Sequence, residues 1–223
     1  MSQFQLQNGY EGTETGAILL ASGKGEIYNP KMDKPVPDNV IPVGSVEFCE
    51  SFLPCIPKPN YYPDFLKNFF FREIWTSNNL NDFQGSCFVK PADRHKRFNG
   101  YVLRDDEVKY IPKQVEESRG PFRFSSLISF WEEWRYYVAN GEVLAAYWYD
   151  GDEEEVDPPK IDIDWPKDFC GAVDFGRTSF GEIALVENNL PYACGWYGGY
   201  KEAAKFKEWI EKGWDYMLSL IHI

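Results

Sequence analysis

Residues 172–189 read AVDFGRTSFGEIALVENN, two apolar runs that carry acidic and amide residues at their outer ends. With Phe180-Gly181 as the turn, antiparallel pairing places Asp174 directly opposite Glu187. Opposed side chains have Cβ atoms about 5 Å apart, where like charges repel unless something offsets them. A divalent cation would do so, since Mg²⁺ prefers oxygen ligands. Asn189 shares the strand face of Glu187 and adds an amide oxygen, so these three residues are the predicted metal ligands.

A simpler interpretation of the same hairpin is a solvent-facing turn whose charges are tolerated, and an isolated aspartate with Glu-x-Asn is compatible with it. The flanking run Ile183–Val186 is too apolar for a wholly exposed strand, however, and favours a buried hairpin. The same register sets Ala172 opposite Asn189.

A second motif is the predicted short buried strand Gly85–Pro91, which ends in Val89-Lys90-Pro91. The following loop, residues 93–100, reads DRHKRFNG, and Tyr101–Leu103 resumes a strand. A basic, glycine-terminated turn between two strands can fold over a polyphosphate by using cations and backbone N–H groups. Taken alone, the loop is equally well explained as an exposed basic turn.

A third motif is the hairpin predicted over residues 131–149, because Asn140-Gly141 favours a type I′ turn. The simplest register pairs Tyr137 with Leu144 and Arg135 with Ala146. Glu133, Arg135 and Tyr137 then share one face of the strand.

The remaining segments are assigned from periodicity and local signals. We expect residues 1–12 to be loose, and we predict strands at Ala17–Ala21 and Val40–Val43, a helix start at Ser45, and helices within Tyr62–Trp75 and Lys201–Tyr216. The last six residues, Leu218–Ile223, are the translation of a transposon-end sequence used in sequencing adapters. Our hypothesis is that residues 218–223 are a non-native tail and that the natural chain continues past Met217.

Composition excludes several classes of protein. The net charge of −12 argues against a nucleic-acid-binding surface, and no apolar run approaches the length of a membrane span, so we expect a cytoplasmic protein. The five cysteines form no CxxC pair and are predicted to be buried thiols. With only two histidines, a zinc site or a Ser-His-Asp arrangement is not expected.

In order along the chain, these motifs resemble the ATP-grasp superfamily, and particularly the short ATP-grasp proteins of phage and bacterial genomes. The matching segments are Phe88-Val89-Lys90-Pro91, Lys96-Arg97-Phe98-Asn99-Gly100, Ser126–Phe130, Glu133-Trp134-Arg135, Val173-Asp174, Glu187-Asn188-Asn189 and Gly195–Gly198, with Ile41–Phe48 upstream.

The resemblance implies a role for each matching residue. Lys90 and Arg135 would be the catalytic cations, Lys90 on the α- and β-phosphates of ATP and Arg135 on phosphate or an acyl-phosphate. Asp174, Glu187 and Asn189 would hold Mg²⁺. The remaining nucleotide-binding residues would be Lys96 and Gly100 in the loop above the phosphates, Ser126, Leu127 and Ile128 beside adenine, and Arg72 as a second family cation.

The resemblance further implies an α+β fold in which two lobes with antiparallel sheets enclose ATP, preceded by a small α/β region. The predicted regions are 1–80 (N-terminal), 81–125 (small lobe) and 126–217 (large lobe). The implied activity is Mg²⁺-dependent ligation of a small-molecule or peptide carboxylate to an amine, or less often a thiol. Two other functions stay open: an acidic, aromatic-rich interaction protein, and a nucleotidyltransferase in which Lys90 is adenylylated.

Overall fold

The structure is a computed structural model of the chain. It describes residues 3–23, 26–28, 40–53, 55, 57–83, 85–92, 98–104, 111–151 and 155–221. The elements in chain order are β1 Gln3–Gln7, α1 Thr13–Ser22, β2 Glu26–Tyr28, β3 Val40–Val43, α2 Val46–Glu50, a 3-10 helix Asp64–Phe69, β4 Ile74–Ser77, a 3-10 helix Leu80–Asp82, β5 Cys87–Pro91, β6 Tyr101–Leu103, α3 Lys113–Glu116, β7 Phe122–Ser126, β8 Phe130–Ala139, β9 Glu142–Gly151, β10 Gly171–Thr178, β11 Ile183–Asn189, a 3-10 helix Tyr200–Glu202 and α4 Ala203–Ile221.

The N-terminal sheet has the order β2-β1-β3, with both pairs parallel. Parallel strands need a crossover connection, and α1 supplies the one between β1 and β2. The strand predicted at Ala17–Ala21 is therefore wrong. The expectation of a loose N-terminus is also wrong for residues 3–7, since β1 is the central strand and buries Phe4 and Leu6. The predicted strand at Val40–Val43 is confirmed, and Ser45 caps α2 by accepting a hydrogen bond from Phe48 N at 3.3 Å.

The small sheet is antiparallel, with the order β4-β7-β5-β6. It includes β4, which precedes residue 81, because β7 has two edges and β5 pairs with only one of them. One face buries the aromatic rings of Phe122 and Phe124 together with Val89 and Phe98. The division of the chain at residue 80 stays a prediction.

The large sheet has the antiparallel order β11-β10-β8-β9. Asn140 and Gly141 both have positive φ, 51° and 73°, as the predicted type I′ turn requires. The predicted register of this hairpin holds only next to the turn, at Ala139 and Val138. A bulge after Tyr137 then shifts the pairing by one residue, so that Arg135 lies opposite Tyr147.

Two cores flank the large sheet. On one face, the segment around the 3-10 helix Asp64–Phe69 packs on Trp134 and Phe175, where a longer helix was expected. On the other face, α4 lies between the large sheet and the N-terminal sheet and buries Trp209, whose indole N–H donates to Val138 O at 3.1 Å. The predicted C-terminal helix is confirmed, and it runs on to Ile221. The described residues include no helix that is long and apolar enough to cross a membrane.

The cysteines lead to a first testable prediction. Cys49, Cys87, Cys170 and Cys194 are buried, as expected, but Cys55 is exposed. Burial raises the pKa of both Cys49 and Cys194 to about 12, so neither thiol supplies thiolate near neutral pH. We expect iodoacetamide to label the native protein at Cys55 alone and all five cysteines after denaturation, as measured by peptide mass spectrometry. Labelling of Cys194 as fast as Cys55 would contradict this packing.

Candidate active site

The hairpin of β10 and β11 forms as predicted from the sequence. Asp174 pairs with Glu187, and Ala172 pairs with Asn189. A bulge follows Asp174, so that Phe175 lies opposite Leu185. The bulge leaves the predicted metal ligands together on one face, where the Asn189 amide donates to Glu187 Oε1 at 3.1 Å and to Asp174 Oδ2 at 3.4 Å.

Asp174 is 1% exposed and forms a bidentate ion pair with Arg135. Arg135 Nε and Nη2 donate to its two carboxylate oxygens, each at 2.7 Å. Burial raises the pKa of Asp174 to about 6, even against the attraction of the guanidinium. Burial alone would lower the pKa of Arg135, but the hydrogen bonds and charge of Asp174 outweigh it and raise that pKa. Arg135 is therefore a permanently charged, fixed group.

Aromatic rings hold the other side of the arginine. The guanidinium lies 5.5 Å from the ring centroid of Tyr149 and 5.4 Å from that of Tyr197, distances typical of cation–π contacts. Tyr149 also donates a hydrogen bond to Glu133, in agreement with the expectation that Glu133 and Arg135 share a face. Burial raises the pKa of Glu133.

Lys90 crosses from the small sheet to the large sheet. Its Nζ lies 2.5 Å from Glu187 Oε2, and its side chain is 12% exposed. Burial would raise the pKa of Glu187, but the charge and hydrogen bond of Lys90 outweigh it and hold that pKa below its usual value. Since Glu187 and Lys90 belong to different sheets, their contact marks the floor of the cleft between the lobes.

A cavity of about 430 Å³ opens at this cleft. Its charged lining side chains are Glu50, Lys90, Arg135 and Glu187. The predicted residues Gly100 and Asn189 also line it. Gly100 is required by close packing, because a Cβ there would collide with the ring of Phe88. The cavity thus brings together five of the residues predicted from the sequence.

Further cations surround two tyrosines beside Lys90. Lys90 Nζ lies 4.1 Å from the ring centroid of Tyr61, while the guanidinium groups of Arg72 and Arg123 lie 5.4 and 5.3 Å from that of Tyr62. Arg72 Nη2 donates to Val186 O at 2.9 Å. Among the described residues, Arg72 Nε and Nη1 and Arg123 Nε are buried without a hydrogen-bond partner. Buried, unsatisfied cationic donors of this kind suit an anionic ligand.

Sequence reasoning missed Arg123. It occupies the position on β7 directly opposite Lys90 on β5, so the two cations share one face of the small sheet. Burial lowers its pKa. The available signal was the alternation of Phe122, Arg123 and Phe124, which buries both rings and turns the arginine to the other face.

The other predicted nucleotide-binding residues are not gathered at the cavity. Ser126 ends β7, and Leu127 and Ile128 lie in the connection to β8, between the small and large sheets. They do not line the 430 Å³ cavity. Lys96 lies outside the described residues. The roles assigned to all four stay predictions.

Sequence comparison decides the family. A family model of the ATP-grasp domain, the second family of its clade, matches residues 69–205. The chain belongs to the ATP-grasp family. Comparison with curated proteins finds no match.

Solved structures share this ATP-grasp fold. N5-carboxyaminoimidazole synthetase from Staphylococcus aureus, complexed with ADP, has a TM-score of 0.57 at 10% identity, over 95% of this chain and 77% of that chain. A RimK domain ATP-grasp protein from Sphaerobacter thermophilus has 0.56 at 11%, over 97% and 100%. D-alanine–D-alanine ligase from Bacillus anthracis has 0.52 at 13%, over 98% and 99%. At these identities the likeness shows the fold alone, and it confirms the α+β architecture predicted from the sequence.

The oxygen donors of this ATP-grasp protein fit a hard divalent cation. Asp174, Glu187 and Asn189 supply two carboxylates and an amide on one face. No group of three His, Cys, Asp or Glu side chains suited to a metal occurs in the part of the chain that is described. That result is compatible with Mg²⁺, which commonly uses one or two protein carboxylates and completes its coordination with water and substrate phosphates.

Proposed function

We propose that this ATP-grasp protein is an ATP-dependent ligase that joins a carboxylate to an amine, or less often a thiol, through an acyl-phosphate. The observation that carries the proposal is the cleft in which Lys90 of the small sheet meets Glu187 of the large sheet at 2.5 Å. Cations on one wall and paired carboxylates on the other suit a metal-bound polyphosphate held between two lobes.

The cationic wall would bind the phosphates of ATP. Lys90, Arg72 and Arg123 surround Tyr61 and Tyr62, and two of the three carry buried donors without partners among the described residues. Phosphate oxygens would accept from those donors. Because charge-assisted hydrogen bonds are about twice as strong as neutral ones, their placement would fix the polyphosphate.

The opposite wall would hold Mg²⁺ through Asp174, Glu187 and Asn189. The metal would neutralise phosphate charge and orient the terminal phosphoryl group. Lys90 and Arg135 would remain near the transferred group as positive charges supplied by the protein.

The chemistry would proceed in two steps. A carboxylate oxygen of the first substrate attacks the γ-phosphorus, the bond between that phosphorus and the β,γ-bridging oxygen breaks, and ADP leaves. The amine nitrogen then attacks the acyl carbon, inorganic phosphate leaves, and the amine loses a proton. Arg135, fixed by Asp174 on one side and by Tyr149 and Tyr197 on the other, would bind the phosphate oxygens in both steps.

The substrates would be small molecules or peptides, since the cavity of about 430 Å³ is of the size that holds small ligands. A cytoplasmic setting and a phage or bacterial source accord with such an activity and stay predictions. So does the non-native tail at residues 218–223.

The test is ATP binding by calorimetry with and without Mg²⁺. We expect wild-type protein to bind ATP more tightly with Mg²⁺, and the Asp174→Asn/Glu187→Gln variant to lose that dependence. A control with the same charge change, Glu142→Gln/Asp157→Asn, alters exposed residues and should behave like wild type. Near-UV circular dichroism checks that each variant is folded. If well-folded wild-type protein binds no ATP, the interaction-protein function is favoured instead.

A further inference from the structure

Glu50, the last residue of α2, lines the same cavity and has no role in the chemistry above. Its Oε1 accepts a hydrogen bond from Tyr192 Oη at 3.0 Å. Among the described residues, no donor reaches Oε2 and no cation pairs with the carboxylate. Tyr192 is 7% exposed, so its hydroxyl is a fixed donor that holds one carboxylate oxygen in place.

The charges of the cavity leave Glu50 as the exception. Lys90 pairs with Glu187, and Arg135 pairs with Asp174. Of the charged side chains that line the cavity, Glu50 alone lacks an oppositely charged partner among the described residues. The lining around it is mostly apolar, with Val46, Pro57, Leu190 and Ala193. A carboxylate beside apolar walls favours a cationic ligand group, because few solvent or protein donors compete for it.

The geometry narrows the kind of cation. With Oε1 taken by Tyr192, one oxygen remains for the ligand, which does not suit the two-pronged fork of a guanidinium. A single protein oxygen is also too few for a metal ion that needs several. A primary ammonium, a compact charge with three donors, needs only one such acceptor.

We propose that Glu50, positioned by Tyr192, binds a primary ammonium group of a substrate and so restricts the enzyme to amino acids or the N-termini of short peptides. The proposal rests on the proposed function, since it places this group in the cleft where the ligase substrates would lie. The ammonium that Glu50 holds would be an anchoring group, because Glu50 lies outside the cluster of Lys90, Arg135 and Asp174.

The experiment measures binding of L-alaninamide and N-acetyl-L-alaninamide to the full chain by calorimetry, with a non-hydrolysable ATP analogue and Mg²⁺ present. We expect wild-type protein to bind the free amine at least roughly tenfold more tightly than the acetylated form, the effect of one charge-assisted hydrogen bond. Glu50→Gln keeps the shape and the contact with Tyr192 and should abolish that preference. Equal binding of the two probes, no binding of alaninamide, or an unchanged preference in Glu50→Gln would overturn the proposal.

Glu47→Gln is the matched control, because Glu47 lies on the same short helix and is exposed. It should keep the wild-type preference. Affinity for the ATP analogue, measured alone, separates the two proposals: if ATP binds but alaninamide does not, only the role of Glu50 fails. In a second arm, alanyl-alaninamide replaces alaninamide. Tighter binding of the dipeptide would place a peptide N-terminus at Glu50, and tighter binding of alaninamide would place a free amino acid there.

Discussion

Arg135→Met is expected to lower the free energy of unfolding by about 3–5 kcal/mol, the usual cost of removing one partner of a buried ion pair. Asp174 is 1% exposed and takes two hydrogen bonds of 2.7 Å from Arg135. Without the guanidinium, the carboxylate must stay charged and unpaired or take up a proton, and either costs free energy. Urea unfolding followed by tryptophan fluorescence measures the change.

A second variant separates the pair from general damage to the sheet. Arg135→Met/Asp174→Leu removes both charges, and we expect it to recover most of the lost stability, because apolar groups of similar volume often replace buried pairs at little cost. Arg177→Met is the control. Arg177 and Glu132 join the same two strands, but the arginine side chain is 37% exposed, so its loss should cost about 1 kcal/mol or less. A double variant as unstable as Arg135→Met would contradict this explanation.

The sequence predicts the metal-ligand hairpin well because all its determinants are local. The turn near Gly181 and the alternation of strand faces set Asp174 opposite Glu187. The partner of Arg135 could not be predicted in the same way. It depends on β8 lying beside β10 in the order β11-β10-β8-β9, which joins residues 39 positions apart. Strand order within a sheet is a property of the whole domain.

Other errors have equally specific causes. Bulges change the register without a clear sequence signal, and the one after Tyr137 moved the partner of Arg135 by one residue. The strand Gln3–Gln7 has an alternating pattern, but three glutamines make it look polar, and its place at the centre of the parallel sheet comes from tertiary pairing. Glu50 and Tyr192 lie 142 positions apart and share no motif.

Lys90→Met is expected to weaken ATP binding by roughly 10- to 100-fold, the effect of losing a charge-assisted hydrogen bond of about 1.5–3 kcal/mol. Lys90 is the cation that reaches Glu187 across the cleft, so its loss removes a phosphate contact and leaves the metal-binding carboxylate without its partner. Calorimetry with ATP and Mg²⁺ measures the affinity. Arg123→Met should also weaken binding, because Arg123 lies directly opposite Lys90 on the adjacent strand.

Lys113→Met separates a local effect from a change in net charge. Lys113 is 83% exposed and pairs only with Glu117 among the described residues, one turn further along, so its removal should leave ATP affinity unchanged. Folding is a lesser concern for Lys90→Met than for Arg135→Met, because Glu187 is 31% exposed and can be hydrated when its partner is lost. If folded Lys90→Met bound ATP as tightly as wild-type protein, the phosphates would have to lie away from the cations around Tyr61 and Tyr62. Retained binding in Lys90→Met together with loss in Arg123→Met would instead place the polyphosphate nearer to Arg123 and Arg72.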